Sequence, residues 1–138
     1  LSDTDRATNR IYDAGINDAH KIIEVETCSI DEFLNEKEIK IDFVKIDAEG
    51  SEQGVIEGMK TTLKNNSNIT MMTEFFPFLI EKYGSSPKKY LQTLEEMSFN
   101  IQNIMEDGVL SKINKDSIIK NSNIENFCTN LLCTKSSK

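Results

Sequence analysis

The chain has 138 residues, of which 38% are hydrophobic and 28% are charged, a composition typical of one globular domain rather than of a disordered or fibrous chain. Its net charge is −7 and its 16 basic residues are scattered, which argues against nucleic acid as a partner. No run of 18 apolar residues is present, so the sequence predicts no membrane span. We therefore predict a single domain over residues 1–138.

Cysteine and histidine usage argues against disulfides and metal sites. The three cysteines are odd in number and lack the spacing of metal ligands, and His20 is the only histidine. We predict free, buried thiols, no metal site and a reducing, cytoplasmic compartment, because disulfide frameworks belong to oxidising compartments. The polar segment Leu1–Arg10 does not resemble a signal peptide and does not begin with Met, so we expect the chain to start inside a longer protein.

The first third of the chain predicts a loop, a strand, a short helix and a second strand. Residues 1–20 lack periodicity and are expected to be irregular, whereas the alternation in Lys21–Thr27 predicts a strand with one wet face. Ser29 or Asp31 is suited to cap the short helix that follows. The apolar run Ile41–Asp47 predicts the next strand.

After Gly50 the apolar spacing changes from that of a strand to that of a helix. Glu52 falls in the first turn of this helix, where the helix dipole favours negative charge, and Gly58 either permits close packing or marks a kink. The apolar positions that share one helical face are Val55, Ile56, Met59 and Leu63.

The rest of the chain predicts three more strands and one more helix. A buried strand is expected over Ile69–Phe76, a helix from Ser86 and Pro87 through Met97, a strand over Phe99–Ile104, a turn at Asp107-Gly108, and a final strand over Phe127–Thr134. Strands that alternate with helices indicate an α/β fold with a mostly parallel sheet, here with an antiparallel C-terminal hairpin.

Acidic residues follow two of these strands. Asp47, Glu49 and Glu52 come directly after the strand Ile41–Asp47, and Glu74 terminates the next one. Ligands of α/β sheets bind beyond the carboxyl ends of strands, where carboxylates can hold a hydroxyl, accept its proton or bind a cation. The alternative is structural, with Asp47 accepting backbone N–H bonds and Glu52 capping the helix.

The segment Asp42–Glu52 closely resembles the signature of the FkbM family of S-adenosylmethionine-dependent methyltransferases, an apolar strand followed by Asp-x-Glu-Gly-x-Glu and a helix. Weaker similarity is carried by Asn9-Arg10, by Val25–Phe33 and by Thr73-Glu74, so that the resemblance extends from about Thr8 to Phe78.

The resemblance implies a Rossmann-like class I methyltransferase sheet and S-adenosylmethionine as cofactor. It implies O-methylation of a sugar, a glycan or a small natural product, with Asp47 and Glu74 as catalytic residues. Four further positions are implied to bind the acceptor, namely Asn9, Arg10, Glu49 and Glu52. Other acceptor contacts are expected from variable loops, here residues 1–20 and 75–86.

One feature of similar proteins is missing, a glycine-rich turn after the first strand with an acid after the second. The chain therefore looks like the carboxyl-terminal part of such an enzyme, without its first strands, and its cofactor-binding residues stay unassigned. We expect that such a piece is inactive alone or associates with another chain, for instance as a homo-oligomer. The alternative function is a non-catalytic α/β domain that binds a partner or a divalent cation through its acidic rim.

Overall fold

A computed structural model describes residues 24–35, 37, 39–120, 124 and 127–135 of the chain. Within these ranges five strands form one sheet, accompanied by six helices. The strands are β1 (Phe43–Ile46), β2 (Thr70–Phe75), β3 (Phe99–Ile104), β4 (Leu110–Lys112) and β5 (Thr129–Lys135). The helices are α1 (Ile30–Phe33), α2 (Glu52–Glu57), α3 (Lys60–Asn65), α4 (Pro77–Lys82), α5 (Pro87–Glu96) and α6 (Lys115–Lys120).

The sheet has the strand order β1-β2-β5-β3-β4. β1 and β2 are parallel, with Ile46 opposite Thr73, whereas the other three neighbouring pairs are antiparallel. The prediction of an α/β fold is confirmed, but the mostly parallel sheet is wrong for the described strands. The reason is that β5 inserts between β2 and β3 and runs against both of them.

The core lies around β2, β5 and α5. Met71 and Phe75 on β2, and Leu131 on β5, are fully buried. The ring of Phe75 stacks on that of Tyr90 from α5, with centroids 6.2 Å apart and an angle of 19° between the planes. Because burial of one such side chain stabilises a fold by roughly 1.5–3 kcal/mol, this contact fixes α5 against the middle of the sheet.

The single helix predicted after Gly50 is divided into α2 and α3 by a break at Gly58 and Met59. A Cβ atom built on Gly58 would lie 3.2 Å from the Cβ of Ser29, so glycine permits close packing here, as predicted. On the far side of the break, the Asp31 carboxylate accepts the backbone N–H groups of Thr61 and Thr62, both at 2.8 Å. Asp31 thereby caps α3 from another part of the chain.

Most of the other predicted elements are confirmed. Ser29 accepts the N–H of Glu32 at the start of α1, and the Asp107-Gly108 turn joins β3 to β4. The predicted strand over Lys21–Thr27 is wrong for residues 24–27, which belong to no strand, and residues 1–23 lie outside the described ranges. Two short helices, α4 and α6, were not predicted, and α4 occupies a segment expected to be a loop.

Candidate active site

The first part of the site is the turn that follows β1. Val44 and Ile46 of β1 face inward, so that the strand delivers Asp47 to the rim of the sheet. The chain then reverses through two left-handed residues, Glu49 with φ 51° and Gly50 with φ 96°. Glycine adopts this conformation without strain, whereas a glutamate does so only where its surroundings hold it there.

The turn is held by the side chain of Glu52, which has no solvent exposure. Its Oε1 accepts the backbone N–H of Ala48 at 3.0 Å and that of Gly50 at 3.1 Å. The hydroxyl of Ser51 donates to the carbonyl of Ala48 at 2.6 Å and ties the same turn from the other side. Glu52 therefore holds the backbone of the residues on both sides of Glu49.

The second part of the site is Glu74, near the end of β2. Because Ile46 pairs with Thr73 in the parallel register, Asp47 and Glu74 follow at the same rim of the sheet. One carboxylate oxygen from each of Asp47, Glu49 and Glu74 lies within 4.8 Å of the others. These three residues are called the carboxylate cluster below, and their proximity agrees with the geometry predicted from the sequence.

Charge is unevenly balanced within the carboxylate cluster. Lys45 donates to Asp47 at 2.5 Å, and this hydrogen bond and the charge of Asp47 raise the pKa of Lys45. Burial raises the pKa of Glu74, and the negative charges of Asp47 and its neighbours raise it further. Glu74 Oε2 is buried and has no hydrogen-bond partner among the described residues.

A cysteine that the sequence analysis did not single out also contacts the cluster. The thiol of Cys128, just before β5, donates to Glu74 Oε1 at 3.2 Å. Although the residue as a whole is exposed, desolvation of its thiol, together with the adjacent Glu74 carboxylate, raises the pKa of this thiol to about 12. The pairing of β5 with β2 would have identified this residue in advance, but no pattern in the sequence indicates that pairing.

The predicted site residues thus fall into three groups. Asp47, Glu49 and Glu74 converge, and Glu52 lies buried beneath the turn. Asn9 and Arg10 lie outside the described residues, as does His20. The roles of all six predicted residues stay predictions. All three cysteines are free, but the prediction that they are buried holds only for Cys133, because Cys28 and Cys128 are exposed.

A surface depression of 410 Å³ lies between α1 and α3 and is lined by Asp31, Thr61 and Asn66 among others. It contains no member of the carboxylate cluster. Two polar side chains of its lining are already used, since Asp31 caps α3 and the Asn66 side chain accepts the N–H of Ile41 at 2.9 Å. The carboxylate cluster is the better candidate for chemistry.

The model of one protein family, described as the methyltransferase FkbM domain, matches residues 2–101 of the chain. The matched range includes the whole carboxylate cluster and ends before β5 and Cys128. No curated protein and no solved structure shows a significant match to the chain. Among the described residues, no helix combines the length and the apolar character needed to cross a membrane.

Proposed function

The chain belongs to the FkbM methyltransferase family, and on that premise we propose that it transfers a methyl group from S-adenosylmethionine to a hydroxyl of a sugar, a glycan or a small natural product. The observation that carries this proposal is the convergence of Asp47, Glu49 and Glu74 within 4.8 Å. Carboxylates that meet at the carboxyl ends of neighbouring strands suit a ligand bound beyond the sheet.

The carboxylates of the cluster suit both reactants of such a methyl transfer. S-adenosylmethionine, when bound, supplies a methyl group on a positively charged sulfur. The carboxylates of Asp47 and Glu49 place negative charge where such a cation would be favoured. Glu74 Oε2, buried and unpaired among the described residues, offers an acceptor for the hydroxyl of the substrate.

The chemistry asked of the protein is modest. The hydroxyl oxygen forms a bond to the methyl carbon as the bond from that carbon to sulfur breaks, and the hydroxyl proton must leave. Glu74 is suited to take the proton, because a carboxyl group with a raised pKa is a stronger base than an ordinary glutamate. Asp47 orients the nucleophile, and holding the two reactants in line supplies much of the rate.

Titration of S-adenosylhomocysteine into the full-length gene product tests the cofactor assignment, with heat as the readout. Methyl transfer is then measured with radiolabelled S-adenosylmethionine against a panel of hydroxylated acceptors. We expect Glu74→Gln to bind the probe like the wild type but to lower the transfer rate by about 10²-fold or more. Failure of the full-length protein to bind S-adenosylhomocysteine would overturn the proposal.

Asp42→Asn is the matched control for the charge effect. Asp42 precedes β1, so it lies at the opposite end of that strand from Asp47, and its exposed side chain pairs with Lys40 at 2.9 Å. Asp47→Asn is expected to weaken S-adenosylhomocysteine binding or transfer, whereas Asp42→Asn leaves both unchanged. Equal effects of the two substitutions would show that net charge, rather than the cluster, is responsible.

A non-catalytic role is the second candidate, favoured by the same convergence of acids. In this role the acidic rim would bind a basic partner segment or a divalent cation. Addition of Mg²⁺ or Ca²⁺ to a chain that does not bind S-adenosylhomocysteine, followed by thermal unfolding, distinguishes the two functions.

We further propose a cytoplasmic location, supported by the three free thiols. A single domain and self-association stay predictions.

A further inference from the structure

β5 brings a part of the chain outside the family match to the proposed site. The match ends at residue 101, and β5 begins at Thr129. Because β5 runs antiparallel to β2, with Glu74 opposite Asn130, the residues that precede β5 lie beside the end of β2. Cys128 is therefore at the rim where the carboxylate cluster lies.

The position of Cys128 is set by the start of β5. The next residue, Thr129, donates its hydroxyl to the Asn103 side chain at 2.6 Å, which ties the start of β5 to β3. On the other side, the N–H of Phe127 donates to the carbonyl of Ile124 at 3.0 Å. The thiol thus reaches Glu74 Oε1 at 3.2 Å from the residue directly before the first paired position of β5.

The two oxygens of Glu74 consequently differ. Oε1 accepts the thiol, whereas Oε2 is buried without a partner among the described residues. We propose that Cys128 is a positioning residue of the methyl-transfer site, whose thiol holds Glu74 so that Oε2 faces the acceptor hydroxyl. This inference rests on the proposed function and adds to it a residue from outside the family match.

A thiol is suited to this task because it is a weak donor. A strong donor, such as an ammonium group, would stabilise the Glu74 carboxylate and reduce its ability to accept a proton. The thiol fixes the orientation of the side chain at a smaller cost in basicity. Burial raises the pKa of Glu74, and the thiol opposes that rise only in part.

The first test follows Glu74 itself and needs no acceptor. Glutamate is labelled with ¹³C at the carboxyl carbon, and the NMR signal of Glu74 is identified by its absence from the spectrum of Glu74→Gln. The pH titration of this signal is then compared in the wild type, Cys128→Ala, Cys128→Ser and Cys28→Ala. We expect the midpoint to move to higher pH in Cys128→Ala and to return in Cys128→Ser, whose hydroxyl restores a donor. Cys28 is exposed and free, so Cys28→Ala should titrate like the wild type.

The second test measures the reaction as a function of pH. With an acceptor identified in the screen, Cys128→Ala should lower kcat by about tenfold, the value of one orienting hydrogen bond. The acidic limb of the plot of kcat against pH should move to higher pH in this variant, while the Kd of S-adenosylhomocysteine changes less than about twofold. An unchanged Glu74 titration in Cys128→Ala, with cofactor binding intact, overturns this inference alone. If the wild type does not bind S-adenosylhomocysteine, the proposed function is overturned instead.

Discussion

Glu52 accepts a hydrogen bond from the backbone N–H of Gly50 at 3.1 Å, which joins a fully buried carboxylate to the turn that precedes its own helix. The same oxygen also accepts the N–H of Ala48. These bonds hold the left-handed conformation of Glu49 between them, so the shape of the carboxylate cluster depends on a side chain beneath it.

Glu52→Ala is predicted to destabilise the fold by about 2–4 kcal/mol, because it leaves two backbone N–H groups without their acceptor. Glu52→Gln keeps an oxygen for those groups and should cost less than Glu52→Ala. Urea unfolding followed by circular dichroism measures both. Equal losses for the two substitutions would show that the charge of Glu52, rather than its acceptor oxygen, stabilises the turn.

Thr73 and Tyr90 share a buried hydrogen bond of 2.7 Å between β2 and α5. Since the Thr73 hydroxyl donates to the carbonyl of Glu74, Tyr90 is the donor to Thr73. Thr73→Val should therefore cost about 1–3 kcal/mol, and Tyr90→Phe should cost less. In urea unfolding, the double variant should lose less than the sum of the two single variants. Strict additivity would contradict the bond.

Asp31 caps α3 and is expected to stabilise it in a pH-dependent way. Burial raises the pKa of Asp31, but the hydrogen bonds from Thr61 and Thr62 outweigh burial and lower it overall. The stabilisation is therefore present above the ordinary pKa of 3.8 and is lost as the pH falls through the lower, folded-state value. Asp31→Ala should lower the free energy of unfolding by about 1–2 kcal/mol at pH 7. The difference in this free energy between the variant and the wild type should become smaller in acid.

The control for this capping effect is Asp42→Ala. The Asp42 side chain is 73% exposed and, among the described residues, forms its ion pair with the exposed Lys40, so its removal should change stability by no more than about 0.5 kcal/mol. Thermal unfolding of both variants between pH 3 and pH 7 makes the comparison. An Asp31→Ala curve parallel to that of the wild type would show that its carboxylate does not titrate with folding.

The pH dependence of stability that Glu74 contributes should have the opposite sign to that of Asp31. Burial is the main reason that its pKa is raised above the ordinary value of 4.5 in the folded chain. Its favourable contribution is present below pH 4.5 and is lost as the pH rises through the folded-state pKa. Glu74→Gln should therefore raise Tm at pH 8 and have little effect near pH 4, whereas the exposed Glu81→Gln should leave Tm unchanged at both.

The sequence predicted those features that depend on local periodicity. β3 has the bounds expected, Phe99–Ile104, and α5 begins at Pro87 after the capping residue Ser86. The proximity of Asp47 and Glu74 also followed, because neighbouring parallel strands end at the same rim. The strand over Ile41–Asp47 was predicted too long, since only Phe43–Ile46 is assigned to the sheet.

The features that were missed depend on contacts between distant parts of the chain. The place of β5 between β2 and β3 is decided by packing across the whole sheet, so Cys128 gave no local signal. The burial of Glu52 was unexpected because glutamate is seldom fully buried unless it is paired. The short helix α4 lies in the segment 75–86 that was expected to be a loop, although Pro77 occupies a position that favours the start of a helix.

The place of β5 has a consequence for how the protein is made. β5 is the last of the described strands to leave the ribosome, yet it pairs with both β2 and β3. Until Thr129–Lys135 emerges, the facing edges of β2 and β3 have no partner, and such edges invite pairing with other nascent chains. The sheet can close only after synthesis has passed this segment, so folding depends on contacts between residues far apart in the sequence, which form slowly.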